Sequence, residues 1–94
     1  MFSAPSVNLI VSDEGFSVEI LGRTGLLYRE GTKVVRVDSE VQMGPSGMLV
    51  IGPSIRRWES PDGDQSIDDT TRDRILENIR AAFRFTGFEV DVAR

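Results

Sequence analysis

The chain has ninety-four residues, 39% of them hydrophobic and 28% charged, with a formal net charge of −4: an ordinary soluble composition, unlike that of a disordered or membrane-spanning chain. It contains no cysteine and no histidine, which removes disulfides, thiolate and imidazole metal ligands, the thiol nucleophile and the usual general base, and with them most hydrolase machinery. A chain this short is expected to fold as one domain, residues 1–94, around one thin core, and its negative charge disfavours a nucleic-acid backbone unless the arginines gather on one surface.

The amino-terminal residues carry no basic leader, and the apolar run Asn8 to Val11 meets Ser12, Asp13 and Glu14 too early to serve as a signal-peptide core, so a cytoplasmic protein is expected. No stretch approaches the roughly 20 apolar residues that a membrane span requires. From Val7 to about Trp58 apolar residues recur at every second position, the period that puts them on one face of a strand. Val7, Leu9 and Val11 form the first such set. After the turn signal Ser12 to Gly15 come Phe16, Val18 and Ile20, then "LGRTG", then Leu26 and Tyr28 alternating with Leu27 and Arg29. The turn at Glu30 and Gly31 leads into a strand with Val35 and Val37 on one side and Val34 and Arg36 on the other. Val41 and Met43 continue it until "GPSG" at Gly44 to Gly47, and the unbroken apolar run Met48 to Ile51 suits a central strand covered on both faces. Short turns between these segments imply antiparallel neighbours.

Later the period changes. Ile75, Leu76, Ile79, Ala82 and Phe83 lie three and four residues apart, one stripe of a helix over about 68–86, with Glu77, Asn78, Arg80 and Arg84 turned to solvent. Gly87 is placed to end it in the left-handed conformation, with Phe88 folding back on Phe83. Phe88, Val90 and Val92 then alternate as a last short strand, 88–92. The expected fold is α+β: a curved antiparallel sheet of about six to eight strands with one C-terminal helix packed on its apolar face.

Between sheet and helix lies "SIRRWESPDGDQSIDDTTRDR". Asp62, Asp64, Ser66, Asp68, Thr70 and Asp73 follow the spacing of a calcium loop, but the position that needs glycine is Ile67, the position that needs an apolar residue is Asp69, and a proline precedes where a helix should enter. Asp62 with Asp64, or Asp68 with Asp69, could pair as catalytic carboxyls only if one were desolvated, and a loop of Asp, Gly, Gln and Ser is expected to be exposed. A helix start accounts for more residues. Ser66 or Asp68 can accept the first free amides, Asp68, Asp69 and Asp73 sit near the positive helix end, and Ile67 can tuck beneath the first turn. Neither "GPSG" nor "GRTG" has the spacing or the lysine of a phosphate-binding loop, so both read as turns.

Trp58, the only tryptophan, is expected to cover one end of the core, and it would be the natural anchor of a partner. Arg56 and Arg57 would point to opposite faces of a regular strand. Arg23, Arg29, Arg36, Arg56 and Arg57 could form a basic face, or could be balanced by Glu19, Glu30, Asp38 and Glu40 through cross-strand pairs.

The order of features from Tyr28 to Val92 resembles the bacterial family named immunity protein 74. The resemblance covers about Gly22 to Val92 and rests on Tyr28 with the Glu30-Gly31 turn, the Asp38 to Glu40 segment, Ile55 to Pro61 with Trp58, and the "RILENI" helix ending in Gly87. None of these residues is a catalytic signature. Members are proposed, from gene neighbourhood, to neutralise the toxin of a polymorphic toxin system. The resemblance therefore implies a non-enzymatic protein, without cofactor or metal, that binds a cognate toxin domain. The contact region expected on this reading is Arg57, Trp58, Asp62, Asp64, Asp68 and Asp69. The alternatives are a single-stranded nucleic-acid binder, which the scarcity of aromatics and the net charge disfavour, and a small oligomeric adaptor such as a homodimer.

Overall fold

A computed structural model describes residues 1–42, 47–59 and 65–93. Seven strands lie in the order of the chain: β1 (Phe2–Ser6), β2 (Leu9–Ser12), β3 (Phe16–Ile20), β4 (Gly25–Glu30), β5 (Lys33–Val41), β6 (Met48–Ile51) and β7 (Val90–Ala93). A 3-10 turn, Gly52–Ser54, follows β6, and the helix α1 spans Asp69–Phe85. The expected α+β architecture is present, and the sheet is mostly antiparallel. The exception is β7, which pairs with β6 in parallel. Because α1 lies between those two strands, it supplies the long crossover that a parallel pair needs.

Alternation sets the inner face of β3, β4 and β5 as expected. Ile10, Val18, Tyr28 and Val35 stand opposite one another in one row across β2 to β5, and Ile20, Leu26 and Val37 form the next. Val18, Leu26, Tyr28 and Val37 are each 0% exposed. Ile75, Ile79, Ala82 and Phe83 of α1 close over this face, each apolar side chain contributing roughly 1.5–3 kcal/mol on full burial. The helix touches β2 and β3 near one edge and β7 at the other, so the sheet curls around it.

Several local expectations are corrected. The buried residues of β2 are Ile10 and Ser12, whereas Leu9 and Val11 are half-buried and Val7 is fully exposed in the turn before β2. Leu9, Ile10 and Val11 are all apolar, so both phases of the alternation are plausible, and the pairing of Ile10 with Val18 decides between them. β1 was not expected. It contains Pro5, which an edge strand tolerates, and it is attached through Phe2, whose ring lies 5.8 Å from that of Phe16 and 5.7 Å from that of Phe85. β6 is buried on one face only, through Met48 and Val50; Leu49 and Ile51 are half-buried. Val41 is largely exposed at the end of β5, and Met43 lies outside the described residues.

The helix ends are set by local chemistry. Asp68 caps the first turn by accepting the Thr71 amide at 2.8 Å, and Ile67 before it is buried in the core. At the far end Gly87 adopts φ 91°, its amide donates to the Arg84 carbonyl, and the Phe88 amide donates to the Phe83 carbonyl. This double bond pattern closes the last turn. Phe88 therefore still belongs to the helix stop, which is why β7 begins at Val90 and not at residue 88. Phe88 is 57% exposed, and its ring lies beside Gly47.

Candidate functional site

Where β6 ends, the chain turns through Gly52–Ser54 and takes over the edge of β5 that β6 has left. The Ser54 hydroxyl accepts the Asp38 amide at 2.9 Å and donates to the Ile51 carbonyl at 2.6 Å, and the Glu59 amide donates to the Val34 carbonyl at 2.6 Å. A second short strip, Gln65 to Ile67, runs beside this one. Ile67 donates to the Arg56 carbonyl at 2.9 Å and Trp58 to that of Gln65 at 3.3 Å, around one antiparallel bridge between Arg57 and Ser66. Ile55, Trp58 and Ile67, at 0, 5 and 5% exposure, anchor the two strips to the core. Arg72 of α1 adds a bond from Nε to the Ile55 carbonyl at 3.0 Å.

With its apolar residues pinned inward, this segment presents Arg56 and Arg57 to solvent. The expectation that they point to opposite faces of a regular strand is not met, because a single bridge at Arg57 replaces the strand. Both line one open depression of about 810 Å³, together with Arg36, Ser54, Trp58, Glu59 and Ser66. Arg36 arrives from the outer face of β5. Its Nη1 pairs with Asp38 at 2.7 Å and its guanidinium lies across Gly25, where a Cβ would stand 2.5 Å from Nη2. Lys33 adds a fourth cation, its Nζ 5.6 Å from the centre of the Trp58 ring.

The expected contact residues divide. Arg57 and Trp58 meet at the depression, with Trp58 almost wholly buried as part of its floor. Asp68 and Asp69 lie at the start of α1 and are exposed. Hydrogen bonds from the Thr71 hydroxyl and amide hold the Asp68 carboxyl below the usual carboxylate range, and Asp69 pairs with Arg72 at 2.8 Å. Asp62 and Asp64 lie outside the described residues. Among the described residues no group of three or more Asp or Glu is placed to hold a metal ion. No helix of the described residues is long and apolar enough to cross a membrane.

Sequence reasoning named Arg36 and Arg56 only as part of a dispersed basic face. Charge balancing holds for part of that face, since Arg29 pairs with Glu19 at 2.8 Å and Arg36 with Asp38. Glu30 instead turns to the helix, where it receives Arg74 at 2.6 Å. Arg56 has no ion-pair partner among the described residues. The sequence signal for this convergence was the adjacency of Arg56, Arg57 and Trp58; the approach of Arg36 has no local signature.

Compared with known proteins, residues 17–93 match the family model described as Immunity protein 74, most of the chain. No curated protein and no solved structure gives a significant match.

Proposed function

The chain belongs to the immunity protein 74 family, and from that premise we propose that it binds a cognate toxin domain of a bacterial polymorphic toxin system in the cytoplasm and neutralises it by occlusion, without catalysis of its own. The family match over residues 17–93 carries this reading. The chain's lack of histidine and cysteine agrees with an inhibitor that acts by contact. The contact region runs from Arg57 and Trp58 through Asp62 and Asp64 to Asp68 and Asp69. Exposed charges at its two ends suit fast, electrostatically steered association with a mixed-charge partner.

The test starts from the gene immediately upstream: a large secretion-linked protein with a variable carboxy-terminal domain is expected there, and that domain is then used for growth rescue and pull-down. Co-expression with the wild-type chain is expected to restore growth, and replacing Asp62, Asp64, Asp68 and Asp69 by Asn is expected to weaken capture about tenfold or more at low salt. Failure of the wild-type chain to protect or to bind would refute the immunity reading. Undiminished capture by the Asn variant would refute this assignment of the contact.

A further inference from the structure

The sheet is covered on one side. Helix α1 closes its inner face, whereas among the described residues no helix or strand lies over the outer one. A sheet face turned to water is usually polar, yet the outward positions here include Leu9, Val11, Leu27, Val34, Leu49 and Ile51, all half-buried. Two charge pairs on this face are internal to it, Arg29 with Glu19 and Arg36 with Asp38.

The end over β5, β6 and β7 is different. Register places Glu40, Leu49 and Asp91 in one row across the three strands, with Glu40 and Asp91 exposed. Among the described residues neither carboxylate has an ion-pair or hydrogen-bond partner. The segments 43–46 and 60–64 contain no basic residue, so neither can supply a counter-charge. We propose that the outer face of β5 to β7 receives a basic segment of the partner protein, with lysine or arginine heads on Glu40 and Asp91 and their aliphatic stems over Leu49 and Ile51. The inference rests on the immunity reading for the identity of the partner and on the structure for its chemistry, and it adds a second contact to the one that runs from Arg57 to Asp69.

The spacing suits such a segment. Strands stand about 4.8 Å apart, so Glu40 and Asp91 are separated by about 10 Å of backbone with Leu49 between them. A long basic side chain can lie along apolar surface while its charged head reaches a carboxylate at either end of this row. Beside Glu40 an open depression of about 320 Å³, with Thr24, Asp38 and Ile51 also in its lining, gives room for side chains to enter. The strands beneath are already paired, so little freedom is lost when a segment docks.

Other occupants fit less well. A nucleic-acid strand would bring phosphates against free carboxylates. A second copy meeting this face across a two-fold axis would set the same acidic patch against itself. A hard cation needs several oxygens at about 2.3–2.6 Å, and no group of three or more carboxylates is placed to hold one among the described residues.

The full chain, labelled with nitrogen-15, is titrated at low salt with a short peptide of alternating lysine and threonine and with its glutamate-threonine counterpart. Saturable amide shifts centred on Glu40, Leu49, Ile51 and Asp91 are expected with the lysine peptide alone. Affinity should fall about fivefold in the double variant Glu40→Gln with Asp91→Asn, the size of two exposed ion pairs, and should also fall in Leu49→Thr. Circular dichroism melts matching the wild type show that both variants fold. No saturable shift at this row, shifts centred on Asp68 and Asp69 instead, an equal response to the glutamate peptide, the same shifts with calcium chloride alone, or an unchanged titration of either variant each overturns the proposal. So does self-association of the wild-type chain on sedimentation that the double variant abolishes, since a second copy would then be the occupant. The upstream toxin domain separates the two levels. Equal protection by wild type and the double variant removes this inference and leaves the immunity reading, whereas peptide binding at this row without any protection removes that reading and leaves the chemistry of the face.

Discussion

The contact that ties α1 to the sheet centres on Tyr28, and its hydroxyl can be removed without changing the shape of the core. Tyr28 is 0% exposed; its hydroxyl donates to Glu30 Oε1 at 2.8 Å and accepts from Asn78 Nδ2 at 2.9 Å, while Arg74 grips the same carboxylate through Nε at 3.2 Å and Nη2 at 2.6 Å. Tyr28→Phe deletes the bond to a charged acceptor, in the range of about 1.5–3 kcal/mol, and the neutral bond from Asn78, about 0.5–1.5 kcal/mol. Glu30 keeps Arg74 and both it and Asn78 retain some access to water, so part of this is recovered, and a net loss of about 2 kcal/mol is expected. For a chain of this size that lowers Tm by about 8–16 °C. The pH dependence gives a second signature. Burial, reinforced by the Glu30 carboxylate, raises the Tyr28 pKa well above its usual value near 10. The unfolded chain therefore loses that proton first, so the contribution is whole below about pH 10 and falls above it by up to about 1.4 kcal/mol per pH unit. Thermal and urea melts of wild type and Tyr28→Phe from neutral pH to alkaline pH measure both effects. A loss under about 0.5 kcal/mol, or an alkaline slope equally steep in the variant, would refute the view that this network locks helix to sheet.

Two further outcomes follow from the helix ends. Gly87→Ala, at φ 91° with no atom within 4 Å of the new Cβ, meets no clash and only backbone strain, so urea melts should show a loss of about 1–2 kcal/mol; an unchanged midpoint would mean that the stop is not held in the left-handed region. Asp68→Ala should lower Tm at pH 7 and Asp68→Asn should restore most of it, because the amide oxygen still accepts from Thr71. The pKa of Asp68 is depressed in the folded chain, so the wild-type advantage is present above the ordinary carboxylate range and is lost as pH falls through the lowered value; melts across acidic pH in which wild type and Asp68→Ala stay equally separated would contradict this.

Local chemistry determined much of this protein from the sequence alone. A change of period from two to three-and-four marks where sheet gives way to helix, and it was readable because each period reports the geometry of its own backbone. The Asp68 cap, the buried Ile67 and the Gly87 stop were readable for the same reason, since each involves partners within one helical turn. The alternation of Leu26, Tyr28, Val35 and Val37 placed the inner face of β4 and β5. The phase of β2 was not readable, because Leu9, Ile10 and Val11 are equally apolar and only their register against β3 chooses among them. β1 has no alternation, and β7 lies parallel to β6 because the helix returns the chain there, so both were decided by tertiary structure. The arginine-lined depression belongs to the same class. Arg36 sits in the middle of β5, and it meets Arg56 and Arg57 only because β6 is short and the following segment occupies the edge of β5 that it vacates. An acidic composition is visible in the sequence; that Arg36, Arg56 and Arg57 line one depression is decided only when the fold brings distant segments together.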